Sequence, residues 1–410
     1  MSESPLTPEL IKRCNPGLSD FGSGTILALS GQCLRSAKQP SDCRECLEAC
    51  PVGALEVEAM TKPHVNTDCL RCGYCVQVCP LNALAATTRT IQQLVRTLLQ
   101  ATLRVDELTI TCQRSLALLR LEAESSEPQA ALASLELVNQ AQESENLFLV
   151  PCLAMLSREL WFTVLNEIGV ARIRRLYVWL PVEQCGQCPV DGLSQVEMSL
   201  DQAIGTAERW SGQAVQIITT AEELPQYRKA GVRRYLASAA EVDRRGVFTG
   251  FVDELRRTWD DSSRTGNRAA DETLRFKERK EAVNRTLLAT DLRAQLPGVD
   301  KQVVTPFRQA LVEAIGRNPA NAPLVELLVS QTDAAACDGC GACVDVCPLH
   351  ARRLLPRPES DEPVDKDGLA VDDRTASADP LYCLGCSACL QACPQQACSF
   401  TLISGEAFLR

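Results

Sequence analysis

The sequence predicts a multidomain α+β chain in which two small cysteine-rich modules flank a parallel α/β domain, with helical segments as linkers. Three observations carry this. Most cysteines gather at the two ends of the chain, at 33–79 and 337–398, with none from 189 to 336. The two end groups share one spacing, so they form an internal repeat. Between them, four short apolar runs alternate with stretches of helical periodicity.

Composition narrows the chemistry. The 410 residues hold 22 cysteines against 2 histidines, and the formal charge is −10. A net negative chain is a poor nonspecific nucleic-acid binder, and aromatics at 4% leave little for base stacking. Cysteine use this heavy means disulfides or metal thiolates. The start "MSESPLTPELIKRC" lacks a charged opening followed by an apolar core, and no twin-arginine motif opens the chain. The longest apolar run, "LFLVPCLAMLSRELWFTVL", is interrupted by Arg158 and Glu159 and is too short for a bilayer. The expectation is a cytoplasmic protein without membrane insertion, its cysteines serving as thiolates in a reducing compartment.

The thiolates follow a pattern. "CLRCGYCVQVCP" supplies Cys69, Cys72, Cys75 and Cys79; "CDGCGACVDVCP" supplies Cys337, Cys340, Cys343 and Cys347; "CLGCSACLQACP" supplies Cys383, Cys386, Cys389 and Cys393. Each reads C-x2-C-x2-C-x3-C-P, the spacing of bacterial ferredoxins with two four-iron clusters. Two residues between cysteines let a tight loop aim three thiolates at one cubane. The fourth is expected to start a short helix that takes its thiolate to the other cluster, with proline setting the turn.

Both ends of the chain resemble the bacterial-type dicluster ferredoxin domain. The resemblance implies a small βαβ pseudo-twofold fold, low-potential one-electron transfer and crossed ligation. In the C-terminal module, at 331–410, one [4Fe–4S] cluster then takes Cys337, Cys340, Cys343 and Cys393, and the other takes Cys383, Cys386, Cys389 and Cys347. The connection "RPESDEPVDKDGLAVDDRTASADP" reads as a surface loop. The N-terminal module, at 33–90 behind an arm at 1–32, departs from the pattern. "CLRSAKQPSDCRECLEACP" has no cysteine three residues before Cys43, and Cys33 is the nearest upstream. One cluster is assigned Cys33, Cys43, Cys46 and Cys79, the other Cys69, Cys72, Cys75 and Cys50. Cys14 in place of Cys33, or a three-iron cluster, is the rival.

The middle starts with a helical linker, "TTRTIQQLVRTLLQATL". The runs "ELTITC", "LFLVPC", "RLYVWLPV" and "AVQIITT" follow as strands. Leu153, Leu156, Leu160, Val164 and Ile168 mark an amphipathic helix after the second, and "LSQVEMSLDQAIGTAERWSG" a helix after the third, capped by Gly212. Strands alternating with helices imply a Rossmann-like parallel sheet over 104–222. A helical linker, basic over 225–285, occupies 223–330 and closes with "TPFRQALVEAIGR".

Six cysteines remain, and four share a position. Cys112 ends the first strand, Cys152 ends the second, and Cys185 and Cys188 lie just beyond the third. In a parallel sheet these ends open on one edge, where ligands bind in open α/β folds. Four thiolates there suit a [4Fe–4S] or [2Fe–2S] cluster or a structural zinc; the neighbouring motifs favour iron and sulfur. "ITCQRS", "LFLVPC" and "EQCGQCP" resemble elements of the methyl-viologen-reducing hydrogenase delta-subunit family, where a small α/β domain places cysteines after successive strands around an iron–sulfur cluster. The pair here is spaced more tightly than in that family, and its nearby histidines are missing.

Cys14 and Cys398 are read as packing residues, His64 as a solvated turn residue, and His350 as a bystander. No Ser/His/Asp set and no phosphate-binding glycine loop is visible. The expected role is that of a polyferredoxin-like subunit relaying electrons from a redox protein donor to an acceptor in an oxidoreductase complex. Two other classes stay open: a reductase with the central cluster as its catalytic site, and a scaffold with a central zinc.

Overall fold

A computed structural model of the chain describes residues 26–28, 33–36, 43–57, 63–66, 68–70, 72–86, 91–112, 146–180, 188, 190, 195–219, 304–356 and 374–409. The chain divides into two units, Met1–Ala237 with Gln302–Arg410, and Ser238–Lys301; every described residue belongs to the first. Cys14, Cys185 and the basic stretch 225–285 lie outside the described residues.

At the N-terminus, strand β1 (Ile26–Ala28) pairs antiparallel with β4 (Leu84–Ala86), and β2 (Leu55–Glu56) with β3 (His64–Val65). His64 therefore sits in a strand and not in a turn: opposite Glu56, its Nε2 lies 3.3 Å from the Glu56 carboxylate. Short helices Glu45–Glu48 and Tyr74–Val78 fill the gaps between the strands.

Four parallel strands follow: β5 (Glu107–Cys112), β6 (Leu147–Val150), β7 (Arg175–Trp179) and β8 (Val215–Ile218). Their spatial order is β6-β5-β7-β8. The chain leaves β5 on one side to make β6, then crosses back to make β7 on the other. This reversal opens a crevice beyond the C-terminal ends of β5 and β7, the place where such sheets bind ligands.

Helices cover the sheet. Ile91–Thr102 buries Leu94, Val95, Leu98 and Leu99 in the same core as Leu108 and Ile110 of β5. The stretch expected as one amphipathic helix divides into a 3-10 turn, Leu153–Met155, and a helix, Arg158–Leu165. That helix is not amphipathic. Leu160 to Leu165 are buried without interruption, because helices pack on several sides of it. Ile168 lies in the turns beyond its end, ahead of Gly169. Gln195–Ser211 ends as expected at Gly212, whose φ of 64° and N–H to the Glu208 carbonyl form a left-handed cap.

The helix Pro306–Arg317, with Thr305 before it and proline at its start, packs against Arg158–Leu165. Buried polar groups fix the contact. Asn166 Nδ2 donates to the Ala314 carbonyl at 2.7 Å, and its Oδ1 accepts from Asn321 Nδ2 at 2.6 Å. Beside it Arg317 Nε meets Glu167 Oε1 at 2.5 Å. Replacing Asn166 with alanine removes both bonds and is expected to lower stability by about 1–2 kcal/mol. Chemical denaturation read by the near-ultraviolet signal checks this, and an unshifted midpoint would refute the bridging role.

Strand β9 (Glu326–Thr332) pairs antiparallel with β12 (Cys398–Ser404), and β10 (Arg352–Pro356) with β11 (Arg374–Ala378). β11 arises from the end of the segment expected to be wholly a surface loop. Ala376 is buried in its centre, while Arg374 and Ser377 are exposed. Short helices Ala342–Asp345 and Ala388–Ala392 complete the module.

Candidate metal centres

The cysteine loops owe their shape to left-handed residues. Gly73, Gly341 and Ser387 each follow the second cysteine of a full motif, with φ of 79°, 78° and 66°. The turn brings the third cysteine round to face the first two. In "CRECLEACP" the matching residue is Arg44, whose φ of −125° is ordinary. No cysteine stands three residues upstream there, so the chain has no need to fold back. Gly73 serves packing as well, since a Cβ at that position would lie 2.9 Å from the Met155 Cβ.

The third cysteine, and not the fourth, belongs to the short helix: Cys46, Cys75, Cys343 and Cys389 lie within these helices. The fourth ends the turn. Cys79 and Cys393 are extended, with ψ of 115° and 110°, as expected for a residue before proline. Beyond each fourth cysteine one arrangement recurs four times. Residues Gly53, Asn82, His350 and Gln396 have φ between 49° and 61°, and the next residue is always alanine. The N–H of Ala54, Ala83 and Ala351 donates to the sulfur of Cys50, Cys79 and Cys347 at 3.2 Å, and that of Ala397 to Cys393 at 3.3 Å. The irregular first motif thus ends like the other three.

Three cavities of similar size gather the sulfurs in sets of four. Cys33, Cys43, Cys46 and Cys79 line one; Cys50, Cys69, Cys72 and Cys75 line a second; Cys347, Cys383, Cys386 and Cys389 line a third. Each set joins three cysteines of one motif, or Cys33 with the two of the short motif, to the fourth cysteine of the partner motif. In the remaining set Cys343 is buried, with Cys337 and Cys393 packed against the same apolar cluster. Cys340 of that loop is exposed, its N–H held by Asp338 at 3.1 Å.

The donor chemistry suits a cationic core. Burial, then repulsion from Cys79, Cys43 and Cys33, pushes the Cys46 thiol up to about 12. Burial likewise pushes Cys386 to about 11, against a hydrogen bond with the Ala388 backbone and with Cys347, Cys389 and Cys383 adding to the rise. Four such groups ionise together only when iron neutralises them. Among the described residues no three His, Cys, Asp or Glu side chains converge as ligands of a single ion. The sulfurs surround a space instead, which fits a cubane that gives each thiolate its own iron.

The sites adjoin one another. Cys75 interacts electrostatically with Cys46 of the neighbouring set. Cys33 and Cys79 pack, with Cys386 of the C-terminal module, against Leu81, Ala83 and Leu349. Cys343 and Cys389 share one buried cluster with Cys398.

In the central domain, Cys112 ends β5 beside Val150 in the register, and Thr111 Oγ1 donates to the Trp179 carbonyl at 2.8 Å. The C-terminal ends of β5, β6 and β7 therefore share an edge. Cys152 is buried in an apolar cluster with Cys72 and Tyr74, and Cys188 packs against it. Of the central candidates, Cys152 and Cys188 thus meet Cys72 of the second N-terminal set, a neighbour that strand positions alone did not indicate, while Cys112 lies in the larger core.

Two arginines escaped the sequence reading, and Cys398, read as a packing residue, is packed beside ligand candidates. Arg308 is buried and donates to the Cys383 carbonyl at 2.8 Å, its guanidinium 5.5 Å from the Phe408 ring centre. Burial draws its pKa down to about 10, so it stays charged at neutral pH. Arg352 is buried on β10, where Nη1 donates to Ser330 Oγ at 2.5 Å and lies 3.7 Å from the Cys389 sulfur; Nη2 bonds Thr332. Cys398 is buried among Cys343, Cys389 and Cys393. Counting five residues from the fourth cysteine of each motif would have aligned Arg352 with Cys398.

Three family models match the chain: a 4Fe-4S dicluster domain over residues 336–397, a 4Fe-4S binding domain over 63–85, and a second 4Fe-4S binding domain model over 41–54. No curated protein and no solved structure matches. The class is that of proteins with 4Fe–4S ferredoxin-type domains, and these domains support an iron–sulfur electron-transfer role. Among the described residues no helix is long and apolar enough to cross a membrane.

Proposed function

We propose that the protein is a multicluster electron relay, holding two [4Fe–4S] clusters at each end and a fifth metal site in a Rossmann-like central domain, and wiring a redox protein donor to an oxidoreductase partner. The observation that supports it best is the order of the cysteine sets. Cys152 shares a buried cluster with Cys72, and Cys188 packs against it; Cys75 interacts electrostatically with Cys46; Cys79 and Cys386 pack against one apolar cluster; Cys389 and Cys343 share another. Read in sequence, these contacts run from the central site through both N-terminal sets to both C-terminal sets. They end at the exposed Cys340.

A cubane supplies reversible one-electron storage. The chain's part is to hold thiolates at fixed positions, donate an alanine N–H to one sulfur of each set, and exclude water with apolar walls. No bond is made or broken, which agrees with the lack of a nucleophile or acid–base set in the sequence. A shuttle needs only one module, and a line of sites through two modules suits a subunit that bridges partners.

Anaerobic reconstitution followed by iron and sulfide determination tests the reading. The four ferredoxin sets are expected to give about 16 irons per chain, with more if the central site also holds iron. Reduced samples are expected to show interacting four-iron signals by EPR. Fewer than about 12 irons in fully loaded protein would sink the four-cubane claim.

A further inference from the structure

We infer that the buried Arg352 guanidinium sets the direction of the relay, by raising the reduction potentials of the C-terminal cluster pair above those of the N-terminal pair. The inference rests on the relay reading. It starts from an asymmetry between repeats: five residues beyond the fourth cysteine, the N-terminal module has Leu55 and Leu84, whereas the C-terminal module has Arg352 and Cys398. All four side chains are buried. The leucines fill their positions with hydrocarbon, and Arg352 fills its own with a fixed positive charge.

That charge lies between the two C-terminal sets. Arg352 contacts Cys389 of one set and interacts with Cys343 of the other. Its hydrogen bonds go to the hydroxyls of Ser330 and Thr332, and among the described residues no carboxylate pairs with it. Arg308 adds a second buried cation beside Cys383.

The N-terminal sets differ. Among the described residues, the cavity of Cys50, Cys69, Cys72 and Cys75 is walled by Pro51, Val52, Ala54, Leu55, Val65 and Leu70, without a charged side chain. The neighbouring set has Arg35, half-buried and donating to the Cys43 carbonyl at 3.3 Å, but the same cavity is also lined by Glu45, whose negative charge opposes it. A tetrathiolate cluster gains one negative charge on reduction. Apolar walls oppose that change, and a buried cation favours it. Potentials then rise from the N-terminal pair to the C-terminal pair, and electrons run downhill towards Cys340.

EPR-monitored redox titration of the full chain tests this, after iron and sulfide counts on each variant. In Arg352→Gln the higher-potential pair is expected to fall, changing its oxidised-to-reduced ratio at fixed potential about tenfold, equivalent to about 59 mV for one electron. Arg352→Lys is expected to restore most of the shift. If the wild-type C-terminal module holds no cubanes, the relay reading fails with the inference. If cluster content is intact and the Arg352→Gln potentials equal those of wild type, only the inference falls. Should Arg352→Gln lose its C-terminal clusters, a Cys50→Ala/Cys79→Ala variant decides. It must remove the lower-potential signals, and removal of the higher ones overturns the proposed direction.

Discussion

Replacing Cys33 with alanine is expected to remove one cubane's worth of iron or leave a three-iron cluster, while Cys14→Ala leaves iron content unchanged. Cys33 shares a cavity with Cys43, Cys46 and Cys79, and its charge adds to the rise of both the Cys43 and Cys46 thiols. A cubane with three protein thiolates has one iron without a protein ligand, which is then open to loss. The predicted loss is about four irons, or about one if a three-iron form survives. The three-iron form has an EPR signal in the oxidised state, so the two results are distinguishable. If iron falls in Cys14→Ala and stays in Cys33→Ala, the assignment is reversed. The regular motifs give an internal comparison: Cys69→Ala is expected to behave as Cys33→Ala does, although the two cysteines reach their clusters by different routes.

The second large effect is expected at the central domain. Cys152→Ser should abolish the metal of the fifth site and leave the four ferredoxin clusters intact, as should Cys188→Ser. Cys152 lies in the apolar cluster that also contains Cys72, and Cys188 packs against it, so an iron–sulfur group there would adjoin the second N-terminal cluster. Loss of that site would disconnect the central end of the line. A donor docking at the central end should then no longer reduce the four clusters, although a chemical reductant still does. Metal analysis separates the readings. About 18–20 irons in wild type, falling to about 16 in the variant, supports the relay; one zinc per chain, lost in the variant, supports a scaffold role. A central-site spectrum that changes when a small disulfide substrate is added would support a reductase instead. An unchanged metal content in both variants would remove the central site altogether.

These two sites show how unequally the sequence exposes its chemistry. The spacing C-x2-C-x2-C-x3-C-P is local and dense, so "CDGCGACVDVCP" discloses its loop before any fold is considered. The strands were also readable. "ELTITC" and "LFLVPC" are short apolar runs, and β5 and β6 end within two residues of the expected cysteines. Helices in the interior were harder to read. Arg158–Leu165 is apolar nearly all round, and periodicity has no information where every face is buried. Local stereochemistry also corrected a detail of the cluster loops, because proline keeps Cys79 and Cys393 extended and ends the helix before them.

What the sequence determined by itself is the set of iron–sulfur loops and the parallel strands with cysteines at their ends, since both are encoded within a few neighbouring residues. The tertiary structure decided which sets adjoin: Cys152 beside Cys72, Cys79 near Cys386, and Arg352 between Cys343 and Cys389. Those neighbours are far apart in the chain, and packing alone brings them together. Arg352 makes the point most directly. On a strand it is one more basic residue; buried between two thiolate sets, its charge acts through a low-dielectric interior where each ångström counts.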